Sequence, residues 1–125
     1  MSRVQLSINV SDFDAAVAFY TRLFGTEPAK LRPGYANFAI DDPPLKLVLN
    51  SPGNGPGGTI NHLGVEVAGT GDVTRAETRL AASGLEVEAA PGTLCCYARQ
   101  DKVGAHDPDG LPWEYYTVLE HVETP

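Results

Sequence analysis

The chain has 125 residues, 42% hydrophobic and 20% charged, the proportions of one compact globular domain. Nine Lys and Arg residues face 16 Asp and Glu, giving a formal charge of −7 with no basic cluster. That balance argues against nucleic acid as a partner. No apolar run approaches the roughly 20 residues of a membrane span and no signal-peptide stretch opens the chain, so a soluble, cytoplasmic protein is expected.

Val4, Leu6, Ile8 and Val10 alternate with Gln5, Ser7 and Asn9, which predicts a half-buried strand with Gln5 on its polar face. Ser11 is the expected N-cap of a helix, with Asp14 three residues on. Phe13, Val17, Tyr20 and Phe24 give that helix an apolar face, and Gly25 ends it. Tyr35 to Ile40 and Leu45 to Leu49 read as strands around the turn Asp41-Asp42-Pro43-Pro44. Ser51 to Gly58 holds four glycines and two prolines, so a loop is expected, ordinarily a plain connector.

Beyond the loop the pattern begins again. Leu63, Val65 and Val67 alternate with His62, Gly64 and Glu66 as a second opening strand. Val73, Ala76 and Leu80, with the stop Ser83-Gly84, predict a weaker amphipathic helix. Strands are expected near Leu85–Ala89, Cys95–Arg99, Lys102–His106 and Trp113–Leu119, with Asp107-Pro108-Asp109-Gly110 as a turn. The fold class read from this order is α+β: paired βαβββ modules, about residues 1–50 and 60–120, forming a curved mixed sheet around a cavity within a single domain 1–125.

The repeat brings particular side chains into correspondence. Aligning the first strands of the halves puts Gln5 opposite His62, and aligning the last strands puts Lys46 opposite Glu114. Gln5, His62 and Glu114 are then expected to point inward and offer one amide oxygen, one imidazole nitrogen and one carboxylate. That is a variant of the two-His, one-carboxylate arrangement that holds iron(II) with positions left open. Each residue also has a plainer reading, His62 as a hydrogen-bonded structural histidine and Glu114 as half of an ion pair. His106 could line the cavity, whereas His121 is expected to be exposed. Arg99, Asp101 and Lys102 would ordinarily form a solvated rim.

The chain's two cysteines stand side by side at Cys95 and Cys96. Neighbouring residues rarely bridge to each other, and in a cytoplasmic protein they are expected to stay reduced. They are either small inert residues or two soft donors for one thiophilic atom. Consecutive residues of a regular strand point to opposite faces, so a shared ligand requires a loop or bulge here, with Pro91-Gly92 letting the chain bend.

Taken together, the runs Arg32-Pro33-Gly34-Tyr35-Ala36-Asn37-Phe38-Ala39-Ile40, Pro43-Pro44-Leu45-Lys46-Leu47-Val48-Leu49 and Asn61-His62-Leu63-Gly64-Val65-Glu66-Val67 resemble the vicinal oxygen chelate superfamily. So do Cys95-Cys96-Tyr97-Ala98, Gln100-Asp101-Lys102-Val103, and Asp107-Pro108-Asp109-Gly110 ahead of Trp113-Glu114. Within that superfamily of glyoxalases, extradiol dioxygenases and antibiotic-resistance proteins, they are most similar to the ArsI/CadI group. The resemblance implies an Fe(2+)- and O2-dependent lyase that breaks the carbon–arsenic bond of trivalent organoarsenicals. It implies Gln5, His62 and Glu114 as metal ligands, Cys95 and Cys96 as the arsenic-binding pair, and Lys102 at the substrate site. Nickel, cobalt or zinc could replace iron in purified protein. Two alternatives stay open: a non-catalytic protein that sequesters arsenical or cadmium, and a different dioxygenase or glyoxalase-type enzyme. Whether the halves meet within one chain or across a homodimer is also open. Gly104-Ala105-His106 depart from the bulkier residues that the resemblance leads one to expect.

Overall fold

The computed structural model describes residues 2–125. Among them are eight strands and two helices in the order β-α-β-β-β, twice over. The chain divides into two compact units, residues 3–63 and residues 64–125 with Ser2.

The first unit contains β1 (Arg3–Asn9), α1 (Phe13–Phe24), β2 (Lys30–Arg32), β3 (Tyr35–Ile40) and β4 (Leu45–Asn50). It also contains the opening residues of β5 (Ile60–Glu66), and its strands lie in the order β2-β3-β4-β1-β5. β1 runs parallel to β4, with Gln5 in register with Lys46. Such a parallel pair needs a long crossover, which α1 and the β2–β3 hairpin supply. Ala36, Phe38, Ile40, Leu47 and Leu49 are buried and pack with Leu6, Ile8, Phe13, Val17, Tyr20 and Phe24. Each large side chain sealed in this way contributes roughly 1.5–3 kcal/mol.

The second unit continues β5 into α2 (Thr70–Ala82), β6 (Glu88–Cys95), β7 (Ala98–His106) and β8 (Pro112–His121), ordered β5-β8-β7-β6. In it Val73, Ala76 and Val103 form a buried cluster, with Val67, Val87 and Tyr115 against them. Among the described residues, no helix is long and apolar enough to cross a membrane.

Four local expectations are corrected. Asp12, not Ser11, caps α1, its carboxylate accepting the Ala15 backbone N–H at 3.1 Å. β2 is an addition to the expected strands; it pairs Lys30 to Arg32 with Tyr35 to Asn37 across Pro33-Gly34, where Gly34 takes φ 70°. The strand expected at Leu85–Ala89 begins only at Glu88 and bulges between Ala90 and Thr93, around Pro91. The strands expected at Cys95–Arg99 and Lys102–His106 are one strand, β7, preceded by a tight turn at Cys96-Tyr97.

β1 encloses its polar row as well as packing Leu6 and Ile8 on the core. Gln5, Ser7 and Asn9 are 6%, 0% and 1% exposed, whereas Val4 is 48% exposed. Polar side chains so enclosed are costly unless hydrogen-bonded, and they have internal partners. Asn50 Nδ2, for example, donates to Ser7 Oγ at 2.8 Å.

Candidate functional site

Gln5 and His62 are each the third residue of their strands, β1 and β5. The first unit brings them together, with Gln5 Nε2 2.9 Å from His62 Nε2. An amide nitrogen is only a donor, so His62 Nε2 accepts this bond through its lone pair. On the other side of the ring, His62 Nδ1 lies 2.8 Å from Asn61 Oδ1. The imidazole is therefore gripped at both nitrogens, with its basic nitrogen turned to Gln5.

Glu114 and Lys102 meet in the second unit. β7 and β8 place Gly104 opposite Glu114 and Lys102 opposite Tyr116, which makes Lys102 and Glu114 diagonal neighbours on one face. Lys102 Nζ donates to Glu114 Oε1 at 3.3 Å, and the two side chains are only 16% and 15% exposed. The cation that a carboxylate needs in an aromatic-rich strand is thus present. Gly64 of β5 makes room for this side chain: a Cβ there would lie 3.2 Å from Glu114 Cγ and from its carbonyl oxygen.

Cys96 and Tyr97 occupy the left-handed region at φ 61° and 62°. A two-residue turn with both φ positive matches the twist of the hairpin it closes, but is ordinarily made by Asn and Gly. Side chains with a Cβ in that conformation are strained, a feature that collects at functional sites. The turn removes the strand alternation, and the sulfurs of Cys95 and Cys96 come together. The expected departure from regular strand is present. Gln100, 5% exposed, ties the turn down by donating from Nε2 to the Cys95 carbonyl at 3.2 Å.

The rim residues do more than face water. Asp101 accepts the Gly92 backbone N–H at 2.7 Å and the Thr70 hydroxyl at 2.6 Å, fixing the bulge of β6 to the start of α2. The Thr70 bond first, then the Gly92 bond, hold its carboxyl below the ordinary carboxylate range. Arg99 pairs with Glu120 at 2.8 Å in the open. His106 is exposed at the end of β7, lining a cavity of about 450 Å³ with Glu86 and Glu88. His121 is exposed at the end of β8. Sequence reasoning missed Asn61, Gly64 and Gln100, whose parts depend on register and packing.

An imidazole nitrogen whose lone pair faces an amide suits a divalent transition ion, provided Gln5 presents Oε1 in place of Nε2. A carboxylate held by a lysine can exchange that partner for a metal. Among the described residues, no three His, Cys, Asp or Glu side chains gather as a metal cluster. Gln5, His62 and Glu114 include only two side chains of those kinds, beside an amide.

Residues 2–115 match the Glyoxalase/Bleomycin resistance protein/Dioxygenase superfamily. The chain is 58% identical to the cadmium-induced protein CadI of Mycobacterium bovis, covering 99% of this chain and 81% of that one. It is 52% identical to a trivalent organoarsenical cleaving enzyme of Thermomonospora curvata, covering 99% and 82%. Among solved structures, homoprotocatechuate 2,3-dioxygenase from Arthrobacter globiformis superposes with a TM-score of 0.66 at 23% identity, over 95% of this chain and 36% of that one. The Mn(II)-bound glyoxalase from Novosphingobium aromaticivorans superposes equally well, with a TM-score of 0.66 at 24% identity, over 100% and 43%. These structures share the fold. The chain belongs to the glyoxalase/bleomycin resistance protein/dioxygenase superfamily, the vicinal oxygen chelate proteins.

Proposed function

We propose that the protein is an Fe(2+)- and O2-dependent carbon–arsenic lyase that converts methylated or arylated trivalent organoarsenicals to arsenite. Cys95 and Cys96 hold the arsenic, Gln5, His62 and Glu114 hold the metal, and Lys102 stands at the substrate. The observation that carries this reading is the Cys95-Cys96 turn, whose backbone directs two neighbouring sulfurs to one place. Trivalent arsenic is soft, and paired thiolates are its natural ligands. Relatives at 52% and 37% identity named as trivalent organoarsenical cleaving enzymes support the same substrate.

The residues divide the work. The cysteines bind once reduced, and each must lose its proton to ligate, so arsenical capture releases protons and needs a thiol reductant. Gln100 keeps the turn seated, so that the pair is presented in a fixed orientation. Lys102 offers its Nζ, already shared with Glu114, as a counterpart for negative charge beside the substrate. His62 offers Nε2 and Gln5 its amide oxygen. Bound iron(II) supplies the activation of dioxygen that the cleavage consumes.

The test is anaerobic loading with iron(II) and a trivalent methyl- or phenylarsenical in reductant, followed by admission of oxygen. Release of inorganic arsenite is the expected result. A stable stoichiometric complex with no arsenite would overturn the lyase reading. It would favour the second reading, sequestration of arsenical or cadmium; a relative at 58% identity is named for its induction by cadmium.

A further inference from the structure

The Ser51–Gly58 loop is bound to the site through a chain of amides whose orientations can be assigned in sequence. It begins at a backbone group, where no ambiguity exists: Asn54 N–H donates to Asn9 Oδ1 at 3.2 Å. That fixes which end of the Asn9 amide is oxygen. The other end agrees, since Asn9 Nδ2 donates to Thr59 Oγ1 at 2.9 Å and to Asn54 Oδ1 at 3.0 Å. Thr59 gives its own hydroxyl proton to the Pro56 carbonyl at 2.5 Å and so receives Asn9 as an acceptor.

The group 2.9 Å from Asn9 Oδ1 must be a donor, so it is Asn61 Nδ2. The remaining end of Asn61 is then oxygen, and it faces His62 Nδ1 at 2.8 Å. His62 Nδ1 must carry a proton to make that bond. In the neutral ring the lone pair is left on Nε2, the nitrogen that faces Gln5. Every step lies within residues 5–62, and Asn9, the hub, is 1% exposed. The loop is further clamped to Asn9 by backbone bonds, Asn9 N–H to the Thr59 carbonyl and Gly58 N–H to the Asn9 carbonyl, both 2.8 Å. Gly53 has no room for a side chain, because a Cβ there would collide with the Asn9 amide.

We infer that the relay Asn54–Asn9–Asn61 sets the tautomer of His62, making Asn61 a positioning residue and the loop a working part of the site. Its use rests on the reading of His62 as a metal ligand. An imidazole that donates from one nitrogen to a fixed oxygen offers the other as a ready, oriented and more basic donor. The relay supplies that arrangement from a backbone N–H in the loop, where metal-ligating histidines more often lean on a carboxylate or carbonyl.

The experiment is nitrogen-15 NMR of the three imidazoles in metal-free protein at about pH 8.5, where an ordinary imidazole is neutral. His106 and His121 are assigned by replacement. Wild type should show a protonated Nδ1 and an unprotonated Nε2 at His62. Asn61→Leu should lose that preference, and Asn61→Asp, which keeps an acceptor toward Nδ1, should restore it. Gly53→Ala, which disturbs Asn9 from the loop side, should weaken it. A wild-type His62 protonated at Nε2, or an unchanged tautomer in Asn61→Leu, overturns the relay whatever the metal does. Iron(II) affinity is measured alongside and should fall about 10–100-fold in Asn61→Leu while staying near wild type in Asn61→Asp. If the tautomers behave as stated but wild type binds no metal, the relay stands and the ligand reading falls.

Discussion

A missing methyl group at Gly64 governs how closely β5 approaches Glu114. A Cβ at 3.2 Å from both the Glu114 side chain and its carbonyl is tight enough that something must give. Gly64→Ala should destabilise the protein by on the order of 1 kcal/mol through overpacking and weaken iron(II) binding by shifting the carboxylate. Calorimetric titration of the variant checks this, and undiminished iron binding would separate Glu114 from the metal. The cysteines make the complementary prediction. Cys95→Ser with Cys96→Ser should abolish arsenical binding in reductant while leaving iron binding intact, as measured by titration of each ligand. Asp101 carries a pH dependence of known sign. Its folded-state carboxyl sits below the ordinary range, held mainly by Thr70 and then by Gly92. The stability it contributes is therefore complete above the unfolded value of about 4 and is lost as pH falls through the lowered folded value. Asp101→Asn should flatten the acid limb of thermal unfolding followed from about pH 6 down to about pH 2.5; identical slopes in the two proteins would contradict it.

Elements differ in how much of them the amino-acid order reveals. β3 is legible to the residue, because Tyr35 to Ile40 is bounded by Pro33-Gly34 and Asp41-Asp42-Pro43-Pro44, residues that cannot continue a ladder. α1 is legible in extent, but its cap is not: Ser11 and Asp12 both suit the position, and only the backbone decides that Asp12 reaches Ala15. Asp12→Ala should cost about 1 kcal/mol and Ser11→Ala only a few tenths, a difference that urea midpoints resolve; equal losses would place the cap elsewhere. β1 is legible as a strand but not in its burial. Alternation shows that two faces differ, and it does not show that Gln5, Ser7 and Asn9 are enclosed with partners of their own. β7 escapes a sequence reading because a turn made of Cys96 and Tyr97 lacks glycine and asparagine, the signals by which such turns are found.

At the scale of the whole chain, the duplication is the strongest signal, because two strand–helix–strand runs separated by a glycine-rich loop leave little choice of order. It also aligns Gln5 with His62, which the first unit joins at 2.9 Å. The supports around these residues are not legible. Asn61, Asn9 and the loop act through amide orientations, and Gly64 and Gln100 through cross-strand register, neither of which a one-dimensional pattern records. The proposed activity depends on Gln5, His62 and Glu114 serving a common ion. Anaerobic iron(II) binding by wild type and by Gln5→Ala, His62→Ala and Glu114→Ala, measured side by side, tests that most directly. The account predicts a single ion per chain in wild type and affinity lost or reduced by about a hundredfold or more in each variant, as when a primary ligand is removed. Wild-type affinity in any of the three would contradict it.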